Sequence, residues 1–118
     1  MKSFLFVIQS SAYANCKVQE LLDVVLITAA FDQKVSLLLL DDAVYHLKKN
    51  QQSEAVGEKD IGAIYRSLNL YDIEDIYVEE ASLTQRGLSQ NDLLIPITLL
   101  PRAKITTTFK AFDFILNG

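Results

Sequence analysis

The sequence predicts an α/β fold, a three-layer α/β/α arrangement around a mainly parallel sheet of about five strands. Three observations lead there. Strand-like runs alternate with segments of helical period along the whole length. The first run, Ser3 to Ile8, is almost unbroken apolar, the pattern of a strand covered on both faces. Half of the 118 residues are apolar and only four are glycine and two proline, which is the composition of an ordinary packed chain. One domain over residues 1–118 is expected, long enough to bury roughly two thirds of its unfolded surface.

Ser3 to Ile8 is the expected central strand. Gln9 to Asn15 is polar and small. Val18, Leu21, Leu22, Val25, Leu26 and Ala29 then follow the i, i+3, i+4, i+7 spacing of a helix. Val24, Ile27, Ala30 and Phe31 widen the apolar surface beyond one stripe. A helix apolar on most sides is either deep in a core or covered by another subunit. A domain this small has little room for an internal helix, so an oligomer is expected.

Val35 to Leu40 is the second strand, and Asp41 and Asp42 are placed to cap a short helix over Ala43 to Lys49. Asn50 to Glu58 reads as a polar loop. Asp60 opens a helix with Ile61, Ile64, Tyr65 and Leu68 on its apolar face. Asn69 and Asp72 supply turn chemistry, and Ile73 to Val78 forms the third strand. Ala81 to Gln85 makes one or two helical turns that Gly87 ends. Leu93 to Thr98 is a strand candidate in which Pro96 points to an edge or a bulge. Pro101 suits a first helical turn, although Ile105-Thr106-Thr107-Thr108 weakens that helix by β-branching. Phe112 to Leu116 is the last strand.

Charge and cysteine content narrow the function classes. Eleven basic against fifteen acidic residues give a net charge of −4. No basic cluster exceeds the pair Lys48 and Lys49, which disfavours direct nucleic-acid binding. A single cysteine allows no disulfide within the chain and fits a reducing compartment. Lys2, the apolar Phe4 to Ile8 and Ala12-Tyr13-Ala14 imitate a cleaved signal, but that apolar core falls short of the roughly 7–15 residues a signal needs. No run approaches the ~18 apolar residues of a membrane span. A soluble cytoplasmic protein is expected.

Ligands of open α/β sheets bind beyond the carboxyl ends of the strands, which directs attention to Tyr77 through Arg86. Few reactive side chains lie there. The four glycines match neither a Walker loop nor a dinucleotide fingerprint, so no cofactor site is expected. A phosphoacceptor pocket is likewise excluded, because Gln9-Ser10-Ser11 follows the first strand where acids are needed. Asp72, Glu74, Asp75, Glu79 and Glu80 are acidic, yet alternation along a strand scatters them over two faces. They are expected to be solvated strand ends and to hold no metal. Cys16 at a helix start and His46 after the second strand form the one nucleophile and base pair available, the basis of an alternative reading as a thiol-dependent transferase. The more ordinary roles are a packing cysteine and a surface histidine. Arg86 is either an exposed helix-end cation or a contact to a neighbouring subunit.

With these residues in place, the chain resembles the DsrE/DsrF/DsrH group of sulfur-relay proteins, most closely its TusC (DsrF-like) branch. The resemblance runs nearly end to end. It is carried by Leu68-x-Leu70-Tyr71-Asp72-Ile73-Glu74 and by Ala81-Ser82-Leu83-x-x-Arg86-Gly87-Leu88, with support from Asp42-Ala43-Val44-Tyr45-x-Leu47. Ala43 stands where the family usually has glycine, a departure that touches a turn.

The resemblance implies a cytoplasmic subunit that assembles with TusB-like and TusD-like siblings into a dimer of heterotrimers. That complex takes persulfide sulfur from TusA and passes it through TusE toward 2-thiouridine at the tRNA wobble position. In the TusD-like sibling a carrier cysteine stands near the end of the third strand. The matching position here is Tyr77, whose phenol cannot hold a persulfide, so the resemblance implies a non-catalytic subunit. Val78, Ser82 and Arg86 are then the candidate partner-contact residues. The remaining alternative is a homo-oligomeric binding module.

Overall fold

A computed structural model describes residues 2–9, 17–31, 33–48 and 61–117. Five strands form one parallel sheet in the order β4-β3-β2-β1-β5, with β1 at Ser3–Ile8, β2 at Lys34–Leu39, β3 at Asp75–Glu79, β4 at Thr98–Leu100 and β5 at Phe114–Asn117. The helices are α1 at Lys17–Ala30, α2 at Ile61–Ser67, α3 at Glu80–Gln85 and α4 at Ile105–Phe109. This is the predicted three-layer α/β/α architecture, but its layers are unequal.

Among the described residues most of the helical cover lies on one face. There Phe6, Ile8, Leu37, Leu39 and Val78 of the sheet meet Leu22 and Val25 of α1, Tyr65 of α2 and Leu83 of α3. The other face buries Leu5, Val7, Leu38 and Leu100 against Ile105 and Phe109 of the short α4. Alternation along β2 explains the division, since Val35, Leu37 and Leu39 point one way while Ser36 and Leu38 point the other. The Ser36 hydroxyl is buried on that second face with no hydrogen-bond partner among the described residues.

Several elements differ from the sequence reading, each for a local reason. The turn after β2 is a 3-10 helix, Asp41–Leu47, and not an α-helix reaching Lys49. Asp41 enters it with φ +53°, and neither Asp41 nor Asp42 caps it, since the cap residue is Leu40. Leu93 to Thr98 is not a strand. Leu93 makes a single antiparallel bridge to Lys48, and β4 begins only at Thr98, beyond Pro96, which has no N–H to donate to a ladder. The last strand starts at Phe114 rather than Phe112. Asp113 just ahead of it accepts hydrogen bonds from the Ser3 backbone N–H and hydroxyl at 2.8 and 3.1 Å, which aligns β5 with β1.

Gly87 ends α3 as predicted. With φ +69° it allows a Schellman closure, in which the Leu88 N–H donates to Leu83 O and the Gly87 N–H to Thr84 O. The β-branched segment before Phe109 is helical in spite of its composition, and Thr108 Oγ1 donates back to Lys104 O at 3.0 Å. The apolar surplus of α1 is real at the surface, with Ile27 57 % and the following Phe31 73 % exposed. The expected loop over Asn50 to Glu58, the Asp60 cap and Cys16 lie outside the described residues.

Candidate functional site at the carboxyl edge of the sheet

The carboxyl ends of β2, β3 and β4 meet at one edge, where polar side chains from separate segments join. Glu79 is the last residue of β3 and shares a face with Tyr77, two positions earlier. Its side chain is buried, 5 % exposed overall, contrary to the expectation of a solvated strand end. Glu79 Oε1 accepts from Ser82 Oγ at 2.6 Å and from Arg102 Nη2 at 3.1 Å, and Oε2 accepts from Arg102 Nε at 3.2 Å. Arg102 follows β4, so this two-pronged clamp fastens one strand end to the next. The Arg102 hydrogen bonds hold the Glu79 carboxyl below the ordinary glutamate value, against burial, with help from Ser82.

Ser82 extends the network toward β2. Its hydroxyl accepts the backbone N–H of Asp41 at 2.9 Å while donating to Glu79. The left-handed Asp41 aims that N–H at α3. A second link runs alongside, with Arg86 Nε and Nη2 donating to Asp42 Oδ1 at 3.1 and 3.0 Å and Nη1 donating to Ser82 O at 3.2 Å. The three strand ends are thus tied through Arg102, Glu79, Ser82, Asp41, Asp42 and Arg86.

Tyr77 lies between Leu38 and Thr98 in the sheet register and packs with the apolar cluster beneath α4. Burial, and then the charge of Asp75, raise its phenol, which stays neutral. Of the three residues expected to meet a partner, Val78 and Ser82 are fully buried within the chain, so their side chains are not offered outward. Arg86 is not an exposed end cation either, being 18 % exposed and bound to Asp42.

His46 is also a correction, because it is buried rather than on the surface, with Nδ1 2.8 Å from the hydroxyl of Tyr65. That nitrogen is occupied and cannot serve a thiol as base. Burial raises the Tyr65 phenol well above its ordinary value, so its hydroxyl stays protonated in this core contact. Among the described residues no three histidine, aspartate or glutamate side chains gather as a metal site.

The network of Glu79 and Arg102 is not foreseen by the sequence reading. Its only signal there is an arginine just after the fourth strand, and interpreting it requires knowing that β3 and β4 are neighbours.

Comparison with known proteins agrees with this architecture. A profile of the DsrE/DsrF-like family matches residues 2–117. The chain belongs to the DsrE/DsrF-like family. It is 43 % identical over 94 residues to the intracellular sulfur oxidation protein DsrF of Allochromatium vinosum, covering 80 % of this chain and 69 % of that protein. To the TusC homolog of Pseudomonas aeruginosa it is 28 % identical over 116 residues, or 98 % of each. The crystal structure of YchN from E. coli superposes over the whole of both chains with a TM-score of 0.86 at 16 % identity, a likeness of fold. In this chain Tyr77 lies in the apolar cluster on the α4 face, two residues before the clamp at Glu79.

Proposed function

We propose that this chain is a non-catalytic subunit of a cytoplasmic TusBCD-type sulfur relay. It sits with TusB-like and TusD-like siblings in a dimer of heterotrimers and helps pass persulfide sulfur from TusA, through TusE, toward 2-thiouridine at the tRNA wobble position. The observation that carries this reading is that Tyr77 is a packed neutral phenol, at the position that the sequence resemblance matches to the sibling's carrier cysteine.

Persulfide transfer explains why such a subunit is useful. An acceptor thiolate attacks the outer sulfur of a donor persulfide, a new S–S bond forms, and the donor cysteine leaves as thiolate. Rate then depends on holding two sulfurs roughly 3–3.5 Å apart in line. A subunit that braces its strand ends through Glu79, Arg102, Ser82 and Arg86 offers a stiff surface for that docking.

A second reading has its own support in the 43 % identity to a DsrF, namely that the relay serves sulfur oxidation. One experiment addresses both. The tagged chain is purified from its own cells and weighed by native mass spectrometry, and a deletion strain is assayed for 2-thiouridine in tRNA and for sulfur oxidation. Two distinct partners of similar size in a two-fold assembly, with loss of 2-thiouridine, support the relay to tRNA. Loss of sulfur oxidation alone moves the subunit to the second reading, and a homo-oligomer or monomer overturns both.

A further inference from the structure

The cover over Tyr77 and its neighbours is asymmetric. From Arg102 to Phe112 no residue is fully buried, and only Ile105, Thr108, Phe109 and Phe112 are half-buried. The sheet residues Leu5, Val7 and Leu38, against which this segment packs, are by contrast fully buried. The helical part, α4, is five residues long, too short to keep its form away from the sheet. Its apolar grip comes from Ile105, Phe109 and Phe112 alone, each only partly withdrawn from water.

The remaining attachment is polar and lies at the two ends. At the start, Arg102 is pinned to Glu79 by hydrogen bonds of 3.1 and 3.2 Å. At the end, Asp113 is pinned to Ser3, its N–H donating to Ser3 Oγ at 3.0 Å and to Ser3 O at 3.1 Å while its carboxylate accepts from the Ser3 N–H and hydroxyl. Between the pins, hydrogen bonds among the described residues run within the segment, from the Lys104 N–H to Pro101 O and from the Phe112 N–H to Phe109 O. Lifting the segment therefore breaks no ladder of the sheet. The second pin involves backbone and adjoins β5, so the side-chain clamp at Arg102 is the one that releases. The face beneath also holds the buried Ser36 hydroxyl, which has no partner among the described residues and gains one from water once the face is wetted. We infer that Arg102 to Phe112 is a strap that opens as one unit while the sheet stays folded, pivoting at Asp113 when the Glu79 clamp lets go, and so controls access to Leu38 and Tyr77. This device goes beyond the relay reading and does not depend on it.

The test is hydrogen–deuterium exchange read by mass spectrometry on the full chain, in the assembly in which it is purified, near neutral pH and in rising sub-denaturing urea. Overlapping peptides within the strap should share one exchange rate, at least about ten-fold above those of β1 and β2, with a weaker dependence on urea because the strap exposes less surface than global unfolding. Glu79→Gln should raise that rate at least about five-fold. Asp42→Ala, which cuts the Arg86 link at the same edge and leaves both pins intact, should not raise it. In a Cys16→Ser background, the thiol introduced by Leu38→Cys should be alkylated at least about ten-fold faster than that introduced by Leu37→Cys, its neighbour on the opposite face. Strap exchange at the rate and urea dependence of β1, indifference to Glu79→Gln, an equal response to Asp42→Ala, or equal alkylation of the two thiols would each overturn the inference. If either cysteine variant fails to fold, exchange in the parent chain and in Glu79→Gln decides.

Discussion

At Glu79 a carboxylate is held almost out of water because Ser82 and both prongs of Arg102 donate to it. Its folded pKa lies below the ordinary value of 4.5, chiefly through the Arg102 hydrogen bonds. The stabilisation is therefore fully present above about pH 5 and is lost as the pH falls through the folded value. Glu79→Gln should lower stability at pH 7 by about 1–2 kcal/mol, with the partly exposed clamp discounted for screening. In urea titrations from pH 7 to 3 the variant should also lose less stability than the parent. A residual slope remains, because Ser3 holds Asp113 low by the same sign of effect. Ser36 is the opposite case, a buried hydroxyl without a partner among the described residues. Ser36→Ala should be neutral or raise stability by up to about 1 kcal/mol, read as the urea midpoint. Neither environment is legible in the sequence. Glu79 reads there as a solvated strand end because its partner Arg102 is 23 residues away.

Helix α1 is the element whose sequence says most about assembly, and its surface bears out the apolar surplus. Leu22 and Val25 fill the core, whereas Val24 and Ile27 face outward and Phe31 follows them. Burying such side chains contributes roughly 1.5–3 kcal/mol each, a strong pull toward a covering surface. Ile27→Lys with Phe31→Lys should shift the assembly toward smaller species in light scattering after size exclusion, with the helical circular dichroism unchanged. An unaltered mass would show that α1 is not covered by a partner. Strand positions are easiest to read where both faces are buried, as in β1 and β2. They are hardest at β4, where three residues follow Pro96 and the pattern of Leu93 to Thr98 imitates a strand that the proline prevents.

For the whole molecule, the order β4-β3-β2-β1-β5 decides what the side chains can do together. The alternation of strands and helices announces a parallel α/β sheet. It cannot announce that, among the described residues, most of the helical cover packs on one face and α4 covers the other, with Tyr77 beneath it. Nor can it bring Arg102 to Glu79, since the adjacency of β3 and β4 is a matter of topology. The family resemblance locates Tyr77, and the structure gives that residue a packing environment in place of a reactive one. In the function proposed above, this subunit positions a sulfur carrier without carrying sulfur itself. The most direct test of this is Cys16→Ser in the assembled complex, followed by transfer of labelled sulfane sulfur to the downstream acceptor. Transfer at the parental rate, with the complex intact by native mass spectrometry, is the predicted result. An intact complex that no longer transfers sulfur would overturn the non-catalytic role and make Cys16 a carrier.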